Sequence, residues 1–206
     1  EPGLLLGKIT AHTRFEGYTS AEATEKKILR DVFEPGDAWF NTGDLMRTVD
    51  VGFALGLPHY QFVDRIGDTF RWKGENVSTN EVGEIINQHP QVALSNVFGV
   101  EVPGTDGRAG MAALRLVEGV ESLDLASFSA HVQAELPPYA RPLFLRIQRE
   151  IDTTGTFKLL KGDLRKQGYD PAQVADVLCV LKPGSSVYEP LDQDWFDRIQ
   201  SGAAGY

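Results

Sequence analysis

The chain has 206 residues, of which 42% are hydrophobic and 24% are charged, the balance of a globular protein with a buried core. Its net charge of -9 argues against a nucleic-acid-binding surface, although a few local cations can still hold a phosphate group. The single cysteine, Cys179, allows no internal disulfide, is expected to be a buried small residue, and fits a reducing, cytoplasmic compartment. No apolar run approaches the length of a membrane-spanning helix, which leaves peripheral membrane association open.

The N-terminal third predicts short strands around one helix. The chain starts at Glu1 without an initiator methionine, so we expect it to be internal to a longer protein. Residues 4–9 form an apolar strand, and Ser20 is a candidate N-cap for a helix running through Val32. A turn at residues 34–37 leads into a strand that ends in Thr-Gly-Asp at residues 42–44. A carboxylate in that position can accept sugar hydroxyls, but a single such motif is better explained as an ordinary turn.

Residues 64–86 carry the strongest local pattern. Gly67 has backbone freedom that other residues lack. Residues 69–73 alternate, with Phe70 and Trp72 on one face, which predicts a strand that Gly74 then interrupts. Residues 78–81 (STNE) form a capping box at the start of the next helix. By itself, this pattern is typical of a hairpin that feeds a helix.

The remainder predicts an α+β domain. Strands are expected at residues 92–100, 110–117 and 143–147, with an amphipathic helix at 123–136. Residues 151–158 form a polar, glycine-bearing loop that ends on Lys158, and a helix follows at 159–167. A lysine on such a loop can neutralise developing negative charge, but a solvated surface lysine is the commoner explanation. Residues 171–206 are interpreted as a tail packed on the domain surface.

Other catalytic signatures are missing from the sequence. The four histidines, at positions 12, 59, 89 and 131, lack metal-ligand spacing, and there is no cysteine cluster, so no metal site is expected from this chain. Neither a G-x-S-x-G motif nor a phosphate-binding glycine loop occurs.

Taken in order, several motifs resemble successive motifs of the adenylate-forming enzymes. They are FNTGD at residues 40–44, FVDR at 62–65 with KGENV at 73–77, and TGTFK at 154–158. The stretch GDTFRWKGENVSTNEV, with EKKILRDVF before it and YARPLFLRI after it, is similar to the fatty-acid-transport-protein group of very-long-chain acyl-CoA synthetases. Residues 49–59 fit the wider pattern poorly, and Gly67 stands where the superfamily often has Asp or Lys.

The resemblance implies ATP-dependent activation of a long or very-long-chain fatty acid to an acyl-adenylate, followed by thioester formation with CoA. Asp44 would bind the ribose hydroxyls of ATP, and Arg65 would reach the same ribose or the phosphates. Lys158 would be the catalytic residue over the α-phosphate and carboxylate during adenylation. Mg²⁺ is expected to accompany ATP, with its ligands outside this chain.

The same resemblance implies a moving domain. Gly67 and Asp68 would be the hinge about which the small C-terminal domain rotates between the half-reactions. After rotation, Trp72, Lys73 and Gly74 would line the route of the CoA pantetheine.

The implied fold is α+β: residues 1–64 as the end of a large N-terminal domain, and residues 65–206 as a small mobile domain with a β-hairpin and a three-stranded sheet packed with helices. The isolated chain is then expected to be inactive, because the phosphate loop and acyl tunnel lie upstream. Two alternatives remain open: another adenylating enzyme, such as a fatty acyl-AMP ligase, and a non-catalytic lid or interaction module. The interaction-module alternative also predicts a homodimer that forms through exposed strand edges.

Overall fold

A computed structural model describes residues 2–53, 56–149 and 161–206 and confirms the α+β class. The chain divides into two compact units, Glu1–Gly67 and Asp68–Tyr206. The sequence analysis placed its domain boundary after residue 64, so the two divisions differ by a few residues around the expected hinge.

The first unit is a four-stranded antiparallel sheet built on one long strand. Its strands are β1 (Gly3–Lys8), β2 (Ile28–Arg30), β3 (Ala38–Val49) and β4 (His59–Arg65). One edge of β3 pairs with β1. The other edge pairs first with β2, along residues 38–40, and then with β4, along residues 44–49. The strand β3 therefore changes partner in its middle.

The helix expected to run from Ser20 through Val32 is wrong beyond its first turns. Ser20 does cap a helix, α1 (Ala21–Glu25), by accepting the Ala23 N–H at 3.2 Å. The following residues instead form β2, because their backbone groups pair with β3. The apolar spacing that indicated a helix serves equally well in a short strand, and the partner strand decides between the two.

Among its described residues, the second unit contains a β-hairpin, a five-stranded sheet and four helices. The hairpin is β5 (Phe70–Trp72) and β6 (Glu75–Val77). The sheet has the order β11-β10-β9-β8-β7, formed by β7 (Val92–Val100), β8 (Ala109–Leu116), β9 (Phe144–Gln148), β10 (Val177–Val180) and β11 (Glu189–Pro190), with only β8 and β9 parallel. The helices are α2 (Thr79–Ile86), α3 (Leu125–Glu135), α4 (Gly162–Gln167) and α5 (Gln193–Gln200).

The three strands expected in this domain correspond to β7, β8 and β9, but two further strands extend the sheet. Both come from residues 171–206, so the interpretation of that segment as a surface tail is wrong. Cys179 lies in β10 and is 2% exposed, and burial raises the pKa of its thiol to about 11. Tyr188 is buried and donates its hydroxyl to the Pro142 carbonyl at 2.5 Å. This segment is part of the core.

The hairpin is mounted on the sheet through glycine. Gly99 of β7 and Gly110 of β8 lie opposite each other in register. A Cβ atom on Gly99 would stand 2.6 Å from the Phe70 Cβ, and one on Gly110 would stand 3.0 Å from the Phe70 Cζ. These two glycines, which are neighbours across the strand pair, thus provide a flat surface on which the Phe70 ring packs. Phe70 and Trp72 are both buried on one face, as the alternation predicted.

The start of α2 also follows the prediction. The Ser78 hydroxyl accepts the Glu81 N–H at 3.2 Å, which is the N-cap hydrogen bond of the predicted capping box.

Candidate functional site

The first cluster lies where β3 changes partner. The N–H of Asn41 donates to the Lys27 carbonyl at 2.8 Å, just before β2 begins. The N–H of Ile66 donates to the Gly43 carbonyl at 2.8 Å, just after β4 ends. The start of one strand and the end of another therefore converge on residues 41–44.

Residues 41–44 belong to β3, but the strand is irregular there, and this irregular segment is called the loop below. It is held by its own short polar side chains. The Asn41 Oδ1 accepts the Gly43 N–H at 2.9 Å, and the Thr42 Oγ1 accepts the Asp44 N–H at 3.0 Å. Such contacts two residues apart build a turn from side chains. Thr42 also donates its hydroxyl to the Leu5 carbonyl of β1 at 2.8 Å. Gly43 has φ +80, a conformation that favours glycine. These contacts fix the backbone of the loop up to Asp44.

Asp44 and Arg65, both selected from the sequence, face each other as a register pair of β3 and β4. The Arg65 Nε lies 3.2 Å from the Asp44 Oδ1, but this ion-pair contact lacks hydrogen-bond geometry. The Asp44 Oδ1 is buried, and within the described residues it accepts no hydrogen bond. The Arg65 side chain remains 54% exposed. A buried carboxylate oxygen that accepts no hydrogen bond costs free energy. The Asp44 side chain as a whole is 27% exposed, so a ligand hydroxyl can approach the carboxylate.

Lys27 belongs to the same cluster, and the sequence analysis missed it. Its Nζ lies 3.4 Å from the Thr42 carbonyl oxygen and 3.3 Å from the position that a Cβ on Gly43 would take. Its place in EKKILRDVF was interpreted as a helix position. A strand at residues 28–30 would have revealed it, since only the β2–β3 pairing brings Lys27 to the loop.

Trp72, Lys73 and Gly74 form the turn of the β5–β6 hairpin. Lys73 has φ +51 and Gly74 has φ +85, so both central residues of this two-residue turn are left-handed, as a type I′ turn requires. A left-handed lysine is uncommon and carries strain. The Lys73 Nζ lies 5.8 Å from the centre of the Trp72 ring, which is 4% exposed.

A groove of about 250 Å³ opens beside this turn, within the second unit. Its lining includes Lys73, Arg141 and Lys182 but no acidic side chain among the described residues. The Arg141 guanidinium donates to the Leu136 carbonyl at 2.9 Å. The Lys182 Nζ lies 4.9 Å from the centre of the Trp195 ring and is paired with the Glu189 carboxylate at 2.9 Å, so Lys73 and Arg141 supply most of the groove's positive charge. A cationic, partly aromatic groove in a chain of net charge -9 suits an anionic ligand.

The remaining predicted residues are Gly67, Asp68 and Lys158. Gly67 ends the first unit and Asp68 begins the second. The Asp68 carboxylate lies 3.7 Å from the Lys161 Nζ and 3.5 Å from an Arg165 nitrogen of α4. Lys158 lies outside the described residues, so its predicted role is carried by the sequence alone.

Two searches of the described part of the chain give negative results. No group of three or more His, Cys, Asp or Glu side chains is arranged to hold a metal ion there. No helix there has the length and apolar character needed to cross a membrane.

Comparison with known proteins gives one family model and several curated relatives that match this chain. Residues 81–158 match the family model of the AMP-binding enzyme C-terminal domain. Human long-chain fatty acid transport protein 3 is 45% identical over 98% of this chain and 29% of its own length. The medium/long-chain-fatty-acid–CoA ligase FadD6 of Mycobacterium tuberculosis is 43% identical over 98% of this chain and 32% of its own length. The chain thus spans about a third of these relatives.

Solved structures give the same fold. The amide bond synthetase McbA of Marinactinospora thermotolerans aligns with a TM-score of 0.62 at 25% identity, over 81% of this chain and 30% of its own. ATP-bound MatB of Rhodopseudomonas palustris aligns with a TM-score of 0.63 at 23% identity, over 84% of this chain and 31% of its own.

Proposed function

We propose that the chain belongs to the fatty-acid-transport-protein group of adenylate-forming enzymes and is the C-terminal part of a fatty acid–CoA ligase. The parent enzyme joins the carboxylate of a long or very-long-chain fatty acid to the AMP moiety of ATP, and pyrophosphate leaves. It then transfers the acyl group from AMP to the CoA thiol. The relatives' names support this substrate class.

The observation that carries the proposal is the Asp44 carboxylate beside Arg65, because its side chain is 27% exposed and its Oδ1 accepts no hydrogen bond from the described residues. A carboxylate accepts hydrogen bonds, and the vicinal hydroxyls of a ribose donate them, as in other nucleotide sites where an acidic residue binds the ribose. Arg65 supplies a nearby positive charge for the same ribose or for the phosphates. These two residues fit the nucleotide that the family requires.

Lys158 is proposed as the catalytic residue of adenylation. Its ammonium would neutralise the charge that develops as the fatty acid carboxylate attacks the α-phosphate and pyrophosphate leaves. Removal of such a group commonly slows a reaction by about 10²–10³-fold. The Mg²⁺ that accompanies ATP is assigned to ligands upstream of this chain.

Gly67 and Asp68 are proposed as the hinge between the half-reactions. The division of the chain between these two residues supports this assignment. In the full-length enzyme, Gly67→Pro should impair thioester formation more than adenylation, because proline fixes φ and restricts the residue before it. If both half-reactions keep their normal rates, the hinge lies elsewhere.

The turn at residues 72–74 is proposed to face CoA after rotation. Its glycine permits close approach of the pantetheine, and the cationic groove beside it suits the CoA phosphates. The groove supports the proposal because its lining is positively charged, whereas the chain as a whole has a net charge of -9.

The proposal is tested on the full-length parent with ATP, CoA and palmitate-class fatty acids. The expected products are acyl-CoA, AMP and pyrophosphate. Acyl-AMP released without thioester would identify a fatty acyl-AMP ligase instead. The isolated 206-residue chain is expected to give no ATP–pyrophosphate exchange, and an exchange signal from it would overturn that part of the proposal.

A non-catalytic interaction module is kept as the second candidate because the first unit exposes large apolar side chains. Phe33, Phe53, Leu57 and Tyr60 are between 58% and 69% exposed. Such side chains favour a further surface packing against them, from the parent protein or a second copy. A mass that rises with concentration in light scattering of the isolated chain would favour self-association, and a constant monomer mass would exclude it.

A further inference from the structure

The cluster at the β3 partner change contains an ammonium group without a carboxylate partner. Among residues 2–53, 56–149 and 161–206, no acidic side chain lies within ion-pair distance of Lys27. Its hydrogen bond to the Thr42 carbonyl, at 3.4 Å, is long. An ammonium has three donors, and the described residues use one of those of Lys27.

The placement of Lys27 is fixed by backbone pairing. Its carbonyl accepts the Asn41 N–H at 2.8 Å, which ties the residue to the base of the loop. Gly43 leaves room for the side chain, since a Cβ there would stand 3.3 Å from the Lys27 Nζ. The ammonium therefore lies against the same loop that holds Asp44.

Two complementary groups thus border one loop. Asp44 offers a carboxylate that is 27% exposed and whose Oδ1 accepts no hydrogen bond from the described residues, and Lys27 offers donors with positive charge. A ligand that satisfies both carries a hydroxyl donor and an anionic oxygen a few bonds apart. A nucleoside 5′-phosphate has this combination, with its ribose hydroxyls and its phosphate.

We propose that Lys27 is a phosphate-binding residue of the nucleotide site, contacting the 5′-phosphate while Asp44 binds the ribose. This inference rests on the proposed function and extends it to a residue on a different strand. The competing explanation is a purely structural role, in which Lys27 only holds the Thr42 carbonyl. A phosphate contact affects only ligands that carry a phosphate, whereas a structural role affects ligands with and without one.

The test compares binding of AMP and adenosine to the full-length parent by calorimetry. Lys27→Met should weaken AMP binding about tenfold or more, as expected for loss of a hydrogen bond to a charged group, and leave adenosine binding unchanged. Lys27→Arg should retain most of the AMP affinity. Asp44→Asn should weaken both ligands, because it acts on the ribose.

Lys26→Met is the matched control, since it removes the same charge from the neighbouring residue. Lys26 is 73% exposed and pairs with Glu22 at 2.7 Å, so its loss should change neither affinity. Thermal melting of both variants checks their folding.

The outcomes separate the two levels of inference. If the wild-type parent binds neither ligand, the proposed function itself fails. If the wild type binds AMP but Lys27→Met binds it equally well, only the phosphate contact is overturned. If Lys27→Met weakens AMP and adenosine equally, Lys27 braces the loop and the phosphate contact is likewise overturned.

Discussion

The Asp68 carboxylate lies 3.5 Å from the guanidinium of Arg165, which is 97 residues further along the chain. Lys161 reaches the same carboxylate at 3.7 Å and donates to the Thr79 hydroxyl at 2.7 Å. The first residue of the second unit is thereby tied to α4 and to the start of α2. Asp68, which is proposed as part of the hinge, is therefore held by ion pairs within the second unit.

Asp68→Asn should loosen α4 because it removes the negative charge shared by Lys161 and Arg165. These side chains are 19–28% exposed, so we expect a loss of about 1 kcal/mol or less in local opening free energy. Hydrogen exchange of a peptide covering residues 161–168 measures it. Asp163→Asn is the control, since its exposed pair with Lys166 on the same helix is 3.6 Å long. Equal exchange in both variants would contradict the prediction.

Gly107→Ala should destabilise the second unit strongly. The added Cβ would stand 2.2 Å from the Arg71 carbonyl oxygen, which also accepts the Arg108 N–H at 2.7 Å. The hairpin would have to shift or lose this contact, so we expect a loss of about 3 kcal/mol or more in unfolding free energy, combining left-handed strain with the clash.

Gly119→Ala isolates the contribution of the backbone conformation. Gly119 has the same φ of +85, but a Cβ there meets nothing within 4 Å. We expect only the left-handed cost of about 1–2 kcal/mol. Urea unfolding of both variants, followed by tryptophan fluorescence, gives the difference. If Gly107→Ala and Gly119→Ala lower the unfolding free energy equally, the Arg71 carbonyl moves away from the added Cβ at no cost in free energy.

Lys73→Asn should separate folding from CoA binding. Asparagine adopts the left-handed conformation more readily than lysine, so the variant removes strain from the turn while losing the contact with the Trp72 ring. We expect the unfolding free energy to stay within about 1 kcal/mol of the wild type. In the full-length enzyme, the KM for CoA should rise while the KM for ATP does not.

The control for Lys73→Asn is Lys8→Asn. Lys8 also lies over a tryptophan ring, that of Trp39, at 5.6 Å, but it belongs to β1 of the first unit. It should leave the KM for CoA unchanged. If the Lys73→Asn enzyme has the same KM for CoA as the wild type, the CoA phosphates do not bind beside Lys73.

His89 should make the second unit less stable in mild acid. It is 3% exposed, its Nδ1 accepts the Gln91 N–H at 3.3 Å, and its ring centre lies 5.6 Å from that of His131. Burial and the neighbouring His131 lower its pKa below the ordinary 6.5, against a weaker opposite effect of Asp124. Since the unfolded chain then binds more protons than the folded one, stability is full above the ordinary pKa and falls as the pH drops below it.

Urea unfolding at several pH values between 7.5 and about 5 tests the His89 prediction, because carboxylates titrate mainly below this range. His89→Gln should flatten the dependence on pH, even if it lowers stability at every pH. His12→Gln removes an exposed histidine of the first unit and should leave the slope unchanged. An unaltered slope in His89→Gln would assign the proton uptake to another group.

Local patterns predicted the hairpin well. The alternation at residues 69–73 placed Phe70 and Trp72 on the buried face, and Ser78 caps α2 as expected. Each of these features depends on hydrogen bonds or side-chain direction within a few residues. Asp44 and Arg65 were found through ordered motifs, and their pairing depends on the register of β3 and β4.

The errors share one cause. Residues 28–30 were assigned to a helix, and β10 and β11 were interpreted as a tail, because short strands carry little periodicity of their own. Their conformation depends on partner strands distant in sequence. Pairing with those strands offsets the conformational entropy lost on ordering, and this pairing exists only in the folded state.

By itself, the sequence determined the α+β class, the Ser20 and Ser78 caps and the hairpin, since these follow from short-range periodicity. Only the tertiary structure decided that β3 changes partner at residues 41–44, which brings Lys27 to the loop of Asp44 and leaves the Asp44 Oδ1 buried without a hydrogen bond from the described residues. It also decided that α4 holds Asp68. These are contacts between distant segments, and strand pairing and packing set their distances.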